Sequence, residues 1–204
     1  LLLPNLLDAD EVAVLQSEVP KIMSRPGPEV VREKDDPTTA RLAFGAHVYS
    51  EPIEALMTLP RMLEPVKQLL RDDAYLHQGR LNPKPGFGKG GGWDWHQDFP
   101  PWYMIDGMPE PRAMNIAVYL DDVTAANGPL LLIPGSHKQG VLEAGHDLES
   151  TSYPLWTLDR KTVTLLAQRG GCEAPVGPAG SGLMFSSLLF HASPPNISPF
   201  SPTI

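Results

Sequence analysis

Two residues that commonly bind transition metals stand two positions apart near the middle of the chain. His96 and Asp98 belong to the segment WHQDF at positions 95–99. In an extended strand, residues i and i+2 project from the same face, so the imidazole and the carboxylate are expected to converge. His191, which follows an apolar run ending at Phe190, is the best candidate for a third ligand from elsewhere in the fold.

Two histidines and one carboxylate on one side of a metal ion leave the opposite coordination positions open. Iron(II) in such a triad can bind a bidentate oxoacid and dioxygen at those positions. Zinc is the competing metal, but a zinc hydrolase needs a general base beside its bound water, and the chain has no His-Glu-x-x-His segment. The pattern therefore predicts an iron(II) site formed by His96, Asp98 and His191.

Polar and aromatic residues near this motif predict the wall of a ligand cavity. Gln78, Arg80 and Asn82 alternate along the sequence, so a strand would place all three on one face. A solvated outer face is the alternative interpretation. Trp93 and Trp102 flank the metal motif, and aromatic walls exclude water and can hold a compact cationic or zwitterionic ligand. These tryptophans could equally belong to the core.

The elements that must position these residues change character near residue 73. Before it, apolar residues at helical spacing predict three helices, over 8–22 with Asp8 or Asp10 as cap, over 52–59 and over 60–70. After it, short apolar runs between Gly/Pro/Asn-rich turns predict an antiparallel sandwich or barrel. The predicted strands lie at 75–81, 113–120, 130–133, 163–166 and 183–190.

We expect one domain over residues 1–204, with a helical N-terminal layer over 1–73 and a jelly-roll core over 74–204. The long stretch 141–180 is predicted to act as a lid, because connections of that length usually carry function or disorder. The sequence has no initiator Met and ends at Ile204 as an apolar segment begins, so we expect either a fragment of a longer chain or a sequence from which some residues have been left out.

The composition limits the classes of partner. The net charge is -8, with 16 basic against 24 acidic residues, which argues against nucleic acid. No apolar run approaches the ~18–20 residues that a membrane span needs. The single cysteine, Cys172, excludes an internal disulfide and fits a reducing cytosol, so a cytoplasmic location is expected.

Four blocks of sequence are together far more specific than one His-x-Asp pair. They are LHQGRLNPKPGF at 76–87, WHQDF at 95–99 with DGMP at 106–109, NGPL at 127–130 with IPGSHK at 133–138, and HAS at 191–193 with NISPF at 196–200. These blocks resemble the phytanoyl-CoA dioxygenase superfamily, and within it the ectoine hydroxylases and the free L-proline hydroxylases.

The resemblance implies a mainly β fold with flanking helices, the double-stranded β-helix (a cupin-like jelly roll). It also implies iron(II), 2-oxoglutarate as co-substrate and dioxygen, with ascorbate as a stimulant. By resemblance, the iron ligands are His96, Asp98 and His191. The residues that hold 2-oxoglutarate are Gln78, Asn82 and Ser193, and those that line the substrate pocket are Arg80, Trp93 and Trp102.

The expected reaction hydroxylates a small free amino acid or amino-acid-derived molecule and releases succinate and CO2. Halogenating relatives replace the carboxylate with a small residue, so Asp98 indicates hydroxylation. We expect proline first and an ectoine-like substrate second, because Gln97, Pro100-Pro101 and Tyr103 replace residues typical of ectoine hydroxylases and are expected to line the pocket entrance. A larger natural-product intermediate and a cupin-like binding module without oxygenase activity are the alternatives. A homodimer is left open.

One position departs from the pattern of the relatives. They carry an arginine about eleven residues after the distal histidine, and its guanidinium binds the distal carboxylate of 2-oxoglutarate bidentately. Here that position is Pro202. Either the partner lies beyond Ile204, or another cation such as Arg80 or Arg112 replaces it, or binding of the co-substrate is weakened.

Overall fold

The computed structural model describes residues 1–147 and 152–203. Three helices, α1 (Ala9–Met23), α2 (Glu51–Thr58) and α3 (Pro60–Leu70), confirm the three predicted in the N-terminal part. The Asp8 carboxylate accepts the N–H of Glu11 at 2.9 Å, and the Glu11 carboxylate accepts the N–H of Asp8 at 2.9 Å. This reciprocal pair satisfies two backbone donors that a helix start leaves unpaired, so Asp8 rather than Asp10 caps α1.

Short antiparallel strands form the rest of the fold. They are β1 (Leu2–Leu3), β2 (Val30–Arg32), β3 (Ala40–Phe44), β4 (Arg80–Leu81), β5 (Trp93–His96), β6 (Met114–Val118), β7 (Leu131–Leu132), β8 (Gly145–Asp147), β9 (Leu155–Thr157), β10 (Gly182–Ser186) and β11 (His191–Ser193). Helix α4 (Phe99–Met104) follows β5, and helix α5 (Arg160–Gly170) follows β9. The mainly β architecture with flanking helices is the one that the sequence predicts.

The strands form three sheets, with the orders β1-β10-β6, β7-β11-β5-β9-β8 and β2-β3-β4. The N-terminal layer that was expected to be helical therefore also supplies β1, β2 and β3. One core cluster joins this layer to the sheets, because Leu15 and Ile53 of the helices pack with Leu81 and Leu120. A second cluster, which includes Tyr119 and Phe185, lies within the jelly roll.

The predicted strand at 163–166 is wrong, because these residues lie in α5. Val163 favours a strand locally, but the Asp159 carboxylate accepts the N–H groups of Lys161 at 2.9 Å and Thr162 at 3.0 Å and thereby starts a helix. The helix then buries Leu166 against a core cluster of the jelly roll. A capping signal and one buried face thus outweigh the local β preference.

Two other predicted strands differ in extent. The run 183–190 divides into β10 and a following turn, so His191 begins a new strand instead of ending an old one. Of the run 75–81, only Arg80 and Leu81 form a strand. The expected lid over 141–180 contains β8, β9 and α5, while residues 148–151 lie outside the described residues, and its role as a lid stays a prediction. Among the described residues, no helix combines the length and apolarity needed to cross a membrane.

Candidate metal centre

Two histidines meet at the centre of the five-stranded sheet. His96 is the last residue of β5 and His191 is the first residue of β11, and the two are direct partners in the antiparallel register. Directly opposite residues project from the same face of a sheet. Their ring centroids lie 4.2 Å apart, and both side chains are buried.

Asp98 reaches the histidines from a turn rather than from a strand. It has helical backbone angles (φ -81°, ψ -29°) at the start of α4, so the expectation of one extended strand through 96–98 is wrong. The N–H groups of Asp98 and Phe99 both donate to the carbonyl of Ser187, at 3.1 and 3.2 Å, and fix this turn. The Asp98 carboxylate lies 3.8 Å from Nε2 of His96 and 3.4 Å from Nε2 of His191.

Each of the three side chains has a hydrogen-bond partner outside the cluster. Nδ1 of His96 lies 2.6 Å from the carbonyl of Asp94, and Nδ1 of His191 lies 2.9 Å from the carbonyl of Leu189. A carbonyl can only accept, so each Nδ1 carries a proton, and each Nε2 faces the centre. The amide of Asn115 donates to the Asp98 carboxylate at 2.9 Å.

The electrostatics of the site favour a neutral His96 imidazole beside an ionised Asp98 carboxylate. Burial, together with the neighbouring His191, lowers the pKa of His96 to about 3. Burial alone would raise the pKa of Asp98, but His191, His96 and Arg80 nearby lower it below its ordinary value. One ligand atom from each of the three residues lies within 4.8 Å of the others, which is a spacing that one metal ion can bridge.

A cavity of about 780 Å³ opens beside these three side chains. Its wall includes all six further residues that the sequence analysis singled out, namely Gln78, Asn82, Ser193, Arg80, Trp93 and Trp102. The fold therefore brings the nine predicted site residues to one place. What each of them binds stays a prediction.

The polar side chains of this wall differ in how far they are already paired. The Arg80 guanidinium donates to the Gln78 side-chain oxygen at 2.7 Å. The Oδ1 atom of Asn82 is buried without a hydrogen-bond partner among the described residues. The Ser193 hydroxyl donates to the carbonyl of Gly128 at 2.9 Å. The Asn82 oxygen is therefore a buried acceptor that lacks a donor in the described part of the chain.

The two tryptophans have different surroundings. A buried guanidinium, that of Arg41, lies 4.2 Å from the Trp93 ring centroid. Trp102 is only 7% exposed and packs edge-on against His77, with ring centroids 5.1 Å apart. The Trp93 ring thus packs against the Arg41 guanidinium. Trp102 belongs both to the core and to the cavity wall.

The positions that were expected to line the pocket entrance do not do so. Gln97, Pro100, Pro101 and Tyr103 are absent from the cavity wall as the described residues form it. Gln97 lies between two inward-facing residues and points the other way, where its amide donates to the carbonyls of Gly140 at 2.9 Å and Leu188 at 2.7 Å. Tyr103 is 57% exposed. These substitutions therefore give no direct argument about the substrate.

The structure adds one residue that the sequence analysis missed. Lys84 is only 6% exposed, lines the cavity, and donates through Nζ to the Ser193 hydroxyl at 2.5 Å. Burial, together with Arg41 nearby, lowers the pKa of Lys84 to about 8. The alternation of Gln78, Arg80 and Asn82 continues to position 84, and that signal could have found it.

Lys84 lies opposite Pro202, the position at which the resemblance predicts arginine. Its N–H donates to the carbonyl of Pro202 at 2.7 Å, and the adjacent Pro83 and Thr203 form an antiparallel bridge. Cross-strand partners project from one face, so side chains at 84 and 202 point to the same region. Arg112, by contrast, is exposed and donates to the carbonyl of Leu70 at 2.7 Å.

Comparison with known proteins adds independent evidence. The family model described as phytanoyl-CoA dioxygenase matches residues 1–202. The ectoine dioxygenase of Bordetella parapertussis is 39% identical over 211 residues, which cover 98% of this chain and 68% of that protein. The L-proline trans-4-hydroxylase of Streptomyces griseoviridis is 35% identical, with 96% of this chain and 76% of that protein covered.

Among solved structures, the chain is similar to EctD from S. alaskensis, crystallised with 2-oxoglutarate and 5-hydroxyectoine. The TM-score is 0.86 at 35% identity, and the match covers 100% of this chain and 68% of that chain. The sheets and helices described above therefore form the jelly roll that the sequence predicts.

Proposed function

Because the chain belongs to the phytanoyl-CoA dioxygenase family, we propose that it hydroxylates a small amino-acid-derived molecule with iron(II), 2-oxoglutarate and dioxygen. The observation that carries this proposal is the buried cluster of His96, Asp98 and His191 in the wall of a large cavity. Relatives that act on ectoine and on proline support the class of substrate.

The donor set fits iron(II). Two neutral imidazoles and one carboxylate are the ligands of the two-histidine, one-carboxylate iron sites. We assign the metal to Nε2 of His96, Nε2 of His191 and the carboxylate of Asp98. Iron bound there would couple oxygen activation to the conversion of 2-oxoglutarate into succinate and CO2. The protein orients the ligands through the carbonyls of Asp94 and Leu189, because each Nδ1–H bond fixes one ring.

Lys84 and three polar side chains are the proposed site for 2-oxoglutarate. Among the described residues Lys84 forms no ion pair, and a buried cation without an anion is costly. A carboxylate of the co-substrate would remove that cost, with the Ser193 hydroxyl beside it. We propose that Lys84 takes the role that the relatives give to arginine at position 202, and that Gln78 and Asn82 complete the site.

Arg80, Trp93 and Trp102 are the proposed substrate contacts. A guanidinium beside aromatic rings suits a zwitterionic amino acid, since Arg80 can bind a carboxylate and the rings can bind a cation. Proline and ectoine are both candidates, because relatives at 35% and 39% identity act on one or the other. Proline as first choice stays a prediction.

The finer expectations about this enzyme are also part of the proposal. We propose ascorbate as a stimulant and, on the ground of the single cysteine, a cytoplasmic location. One domain over residues 1–204, a lid over 141–180 and a homodimer are predictions in the same sense.

Mass spectrometry of the product tests the proposal. The protein is incubated with iron(II), 2-oxoglutarate and ascorbate, and with L-proline or ectoine in separate reactions. We expect a product heavier by one oxygen atom together with succinate, and neither without 2-oxoglutarate. Uptake of oxygen that depends on 2-oxoglutarate but gives no product from either compound would point to another substrate. No uptake at all would contradict the proposed activity.

A further inference from the structure

Two aromatic rings from distant segments meet in the wall of the cavity. His77 stands directly before Gln78, Trp102 lies in α4, and both line the cavity. Their ring centroids are 5.1 Å apart, and the ring planes are inclined at 66°. At this separation and tilt two rings attract each other edge to face. The His77 ring therefore restricts the orientation of Trp102, which is one of the proposed substrate contacts.

Asp106 in turn fixes the His77 ring. Nε2 of His77 lies 3.1 Å from the Oδ2 atom of the Asp106 carboxylate. A carboxylate accepts hydrogen bonds, so the N–H at Nε2 is the donor, and a rotation of the imidazole would break this bond. His77 is thus held at one edge by a hydrogen bond while its ring packs against Trp102.

The end of α4 places Trp102 and Asp106 as one unit. The N–H of Asp106 donates to the carbonyl of Trp102 at 3.2 Å, and the N–H of Met108 donates to the same carbonyl at 3.0 Å. Between these two donors, Gly107 has a φ of 74°, a left-handed conformation that turns the chain back after the helix. Residues four apart on a helical turn lie on one face, so the side chains of Trp102 and Asp106 both reach His77.

We propose that His77 is a positioning residue for the substrate, which holds the Trp102 ring in the cavity wall through its hydrogen bond to Asp106. This inference rests on the proposed function, because that function makes Trp102 a substrate contact. His77 also joins two parts of the site. It directly precedes Gln78, which is assigned to 2-oxoglutarate, and it packs against Trp102, which is assigned to the substrate.

The exposure of this contact distinguishes a role in positioning from a role in folding. The side chains of His77 and Asp106 are 24% and 42% exposed. Exposed pairs of this kind contribute little to the free energy of unfolding. A binding site, by contrast, needs side chains whose rotamers are locked by packing and by hydrogen bonds from neighbours. Replacing either residue should therefore leave the fold intact and loosen Trp102.

Fluorine NMR of protein labelled with 5-fluorotryptophan tests the contact without iron, 2-oxoglutarate or substrate. The chain has four tryptophans, and Trp102→Phe identifies the resonance of Trp102. We expect that resonance to move by more than its line width in His77→Ala, because the imidazole beside the ring is lost. The resonance of Trp156, which stacks on His146, should stay in place and serves as the internal reference.

Two variants of Asp106 separate the hydrogen bond from the ring contact. Asp106→Ala keeps the imidazole but removes its acceptor, so the Trp102 resonance should move in this variant as well. Asp106→Asn is the matched control, because its side-chain oxygen can still accept from Nε2 of His77. It should leave the Trp102 resonance where it is in the unchanged protein. Far-ultraviolet circular dichroism confirms that each variant is folded.

Steady-state kinetics, with whichever of L-proline and ectoine is hydroxylated, show whether the contact serves the substrate. We expect His77→Ala and Asp106→Ala each to raise KM by about tenfold, as for the loss of one hydrogen-bonded contact, with kcat and iron affinity unchanged. The double variant should be no worse than either single variant, because both changes remove the same link. Asp106→Asn should keep the KM of the unchanged protein.

An unchanged Trp102 resonance in His77→Ala would overturn the proposal. An unchanged KM would also overturn it, whether or not kcat falls, because the contact would then not serve the binding of substrate. Failure of the unchanged protein to hydroxylate any compound would contradict the proposed function instead. The fluorine spectrum would still decide whether His77 holds Trp102.

Discussion

At the residue scale, Asp98 is the side chain on which the proposed metal centre depends most directly, because it lies against both histidines. We expect Asp98→Ala to reduce bound iron to background and to abolish hydroxylation. The protein should stay folded, since the bonds from this turn to Ser187 come from the backbone. Metal analysis and circular dichroism measure the two effects.

Asp94→Ala is the matched control for this variant. Asp94 is exposed and contributes only its carbonyl to His96, so its side chain should be dispensable for iron binding. Near-normal turnover of Asp98→Ala at limiting iron would show that Asp98 is not a ligand.

A second prediction concerns the cation that binds 2-oxoglutarate. Lys84→Met should weaken binding by roughly 1.5–3 kcal/mol, the contribution of a charge-assisted hydrogen bond, or about ten- to a hundredfold. Pro202→Arg in the same protein should restore most of the affinity, because positions 84 and 202 project to the same region. Anaerobic titration with iron(II), followed at the metal-to-ligand charge-transfer band, measures each affinity.

Arg112→Met provides the control, since this arginine is exposed and already bonded to Leu70. Its affinity for 2-oxoglutarate should equal that of the unchanged protein. Should Arg112→Met weaken binding while Lys84→Met does not, the role assigned to Lys84 is incorrect.

The pKa of Lys84, lowered to about 8, predicts a pH dependence. Above that pH the free protein loses the charge that attracts the co-substrate, so the affinity for 2-oxoglutarate should fall by up to tenfold per pH unit. The stability of the free protein should change in the opposite sense. Because its pKa is lowered, Lys84 binds fewer protons in the folded than in the unfolded protein. The cost of burying its charge therefore diminishes, and the free energy of unfolding rises, as pH increases from about 8 towards 10.5. Titrations at increasing pH check the first effect, and Lys84→Met should show neither.

At the element scale, the buried pair of Arg41 on β3 and Glu33 after β2 supports the strand that carries His96. Arg41 lies 3.2 Å from Glu33 and donates to the carbonyls of Gly90 at 3.0 Å and Gly92 at 2.8 Å. It also stacks on Trp93. One side chain thus joins a sheet to the glycine-rich turn before β5.

We expect Arg41→Met to destabilise the fold by about 3–5 kcal/mol, because the Glu33 carboxylate would be left buried with the Ser152 hydroxyl but without its ion-pair partner. The KM for the substrate should rise, since Trp93 loses the group behind it, while iron affinity should stay the same. Combining it with Glu33→Gln should recover part of the stability but not the KM. Thermal unfolding and steady-state kinetics separate the two effects, and an unchanged KM would contradict the role of Arg41.

The elements also show where local patterns succeed and fail. Periodicity predicted α1, α2 and α3, with a cap for α1, because helix signals lie within a few residues of each other. The segment at 163–166 was predicted wrongly, because its apolar residues suit a short strand as well as one face of a helix. The cap at Asp159 distinguishes the two, and it lies outside the predicted run.

At the scale of the whole molecule, the helical layer and the jelly roll share one core. Leu15 and Ile53 pack in the same cluster as Leu81 and Leu120. We expect a single cooperative unfolding transition, with coincident far-ultraviolet circular dichroism and tryptophan fluorescence. Two separate transitions would show that residues 1–73 and 74–203 are independent units.

The sequence by itself determined the family of this protein and predicted its chemistry. The donor types at 96, 98 and 191 predict the kind of metal, and the blocks around them indicate the family. These are properties of residue identity and short spacing, which do not require knowledge of distant contacts. The mainly β class follows in the same way from alternating apolar runs and turns.

Only the tertiary structure decided which side chains meet in the cavity. His191 lies beside His96 through a cross-strand register, Lys84 reaches Ser193 through another, and Gln97 points away although it stands between His96 and Asp98. Such registers depend on hydrogen bonds between segments far apart in sequence. A shift of the register by one residue would turn every side chain of the strand to the opposite face. Short-range periodicity carries no information about that register.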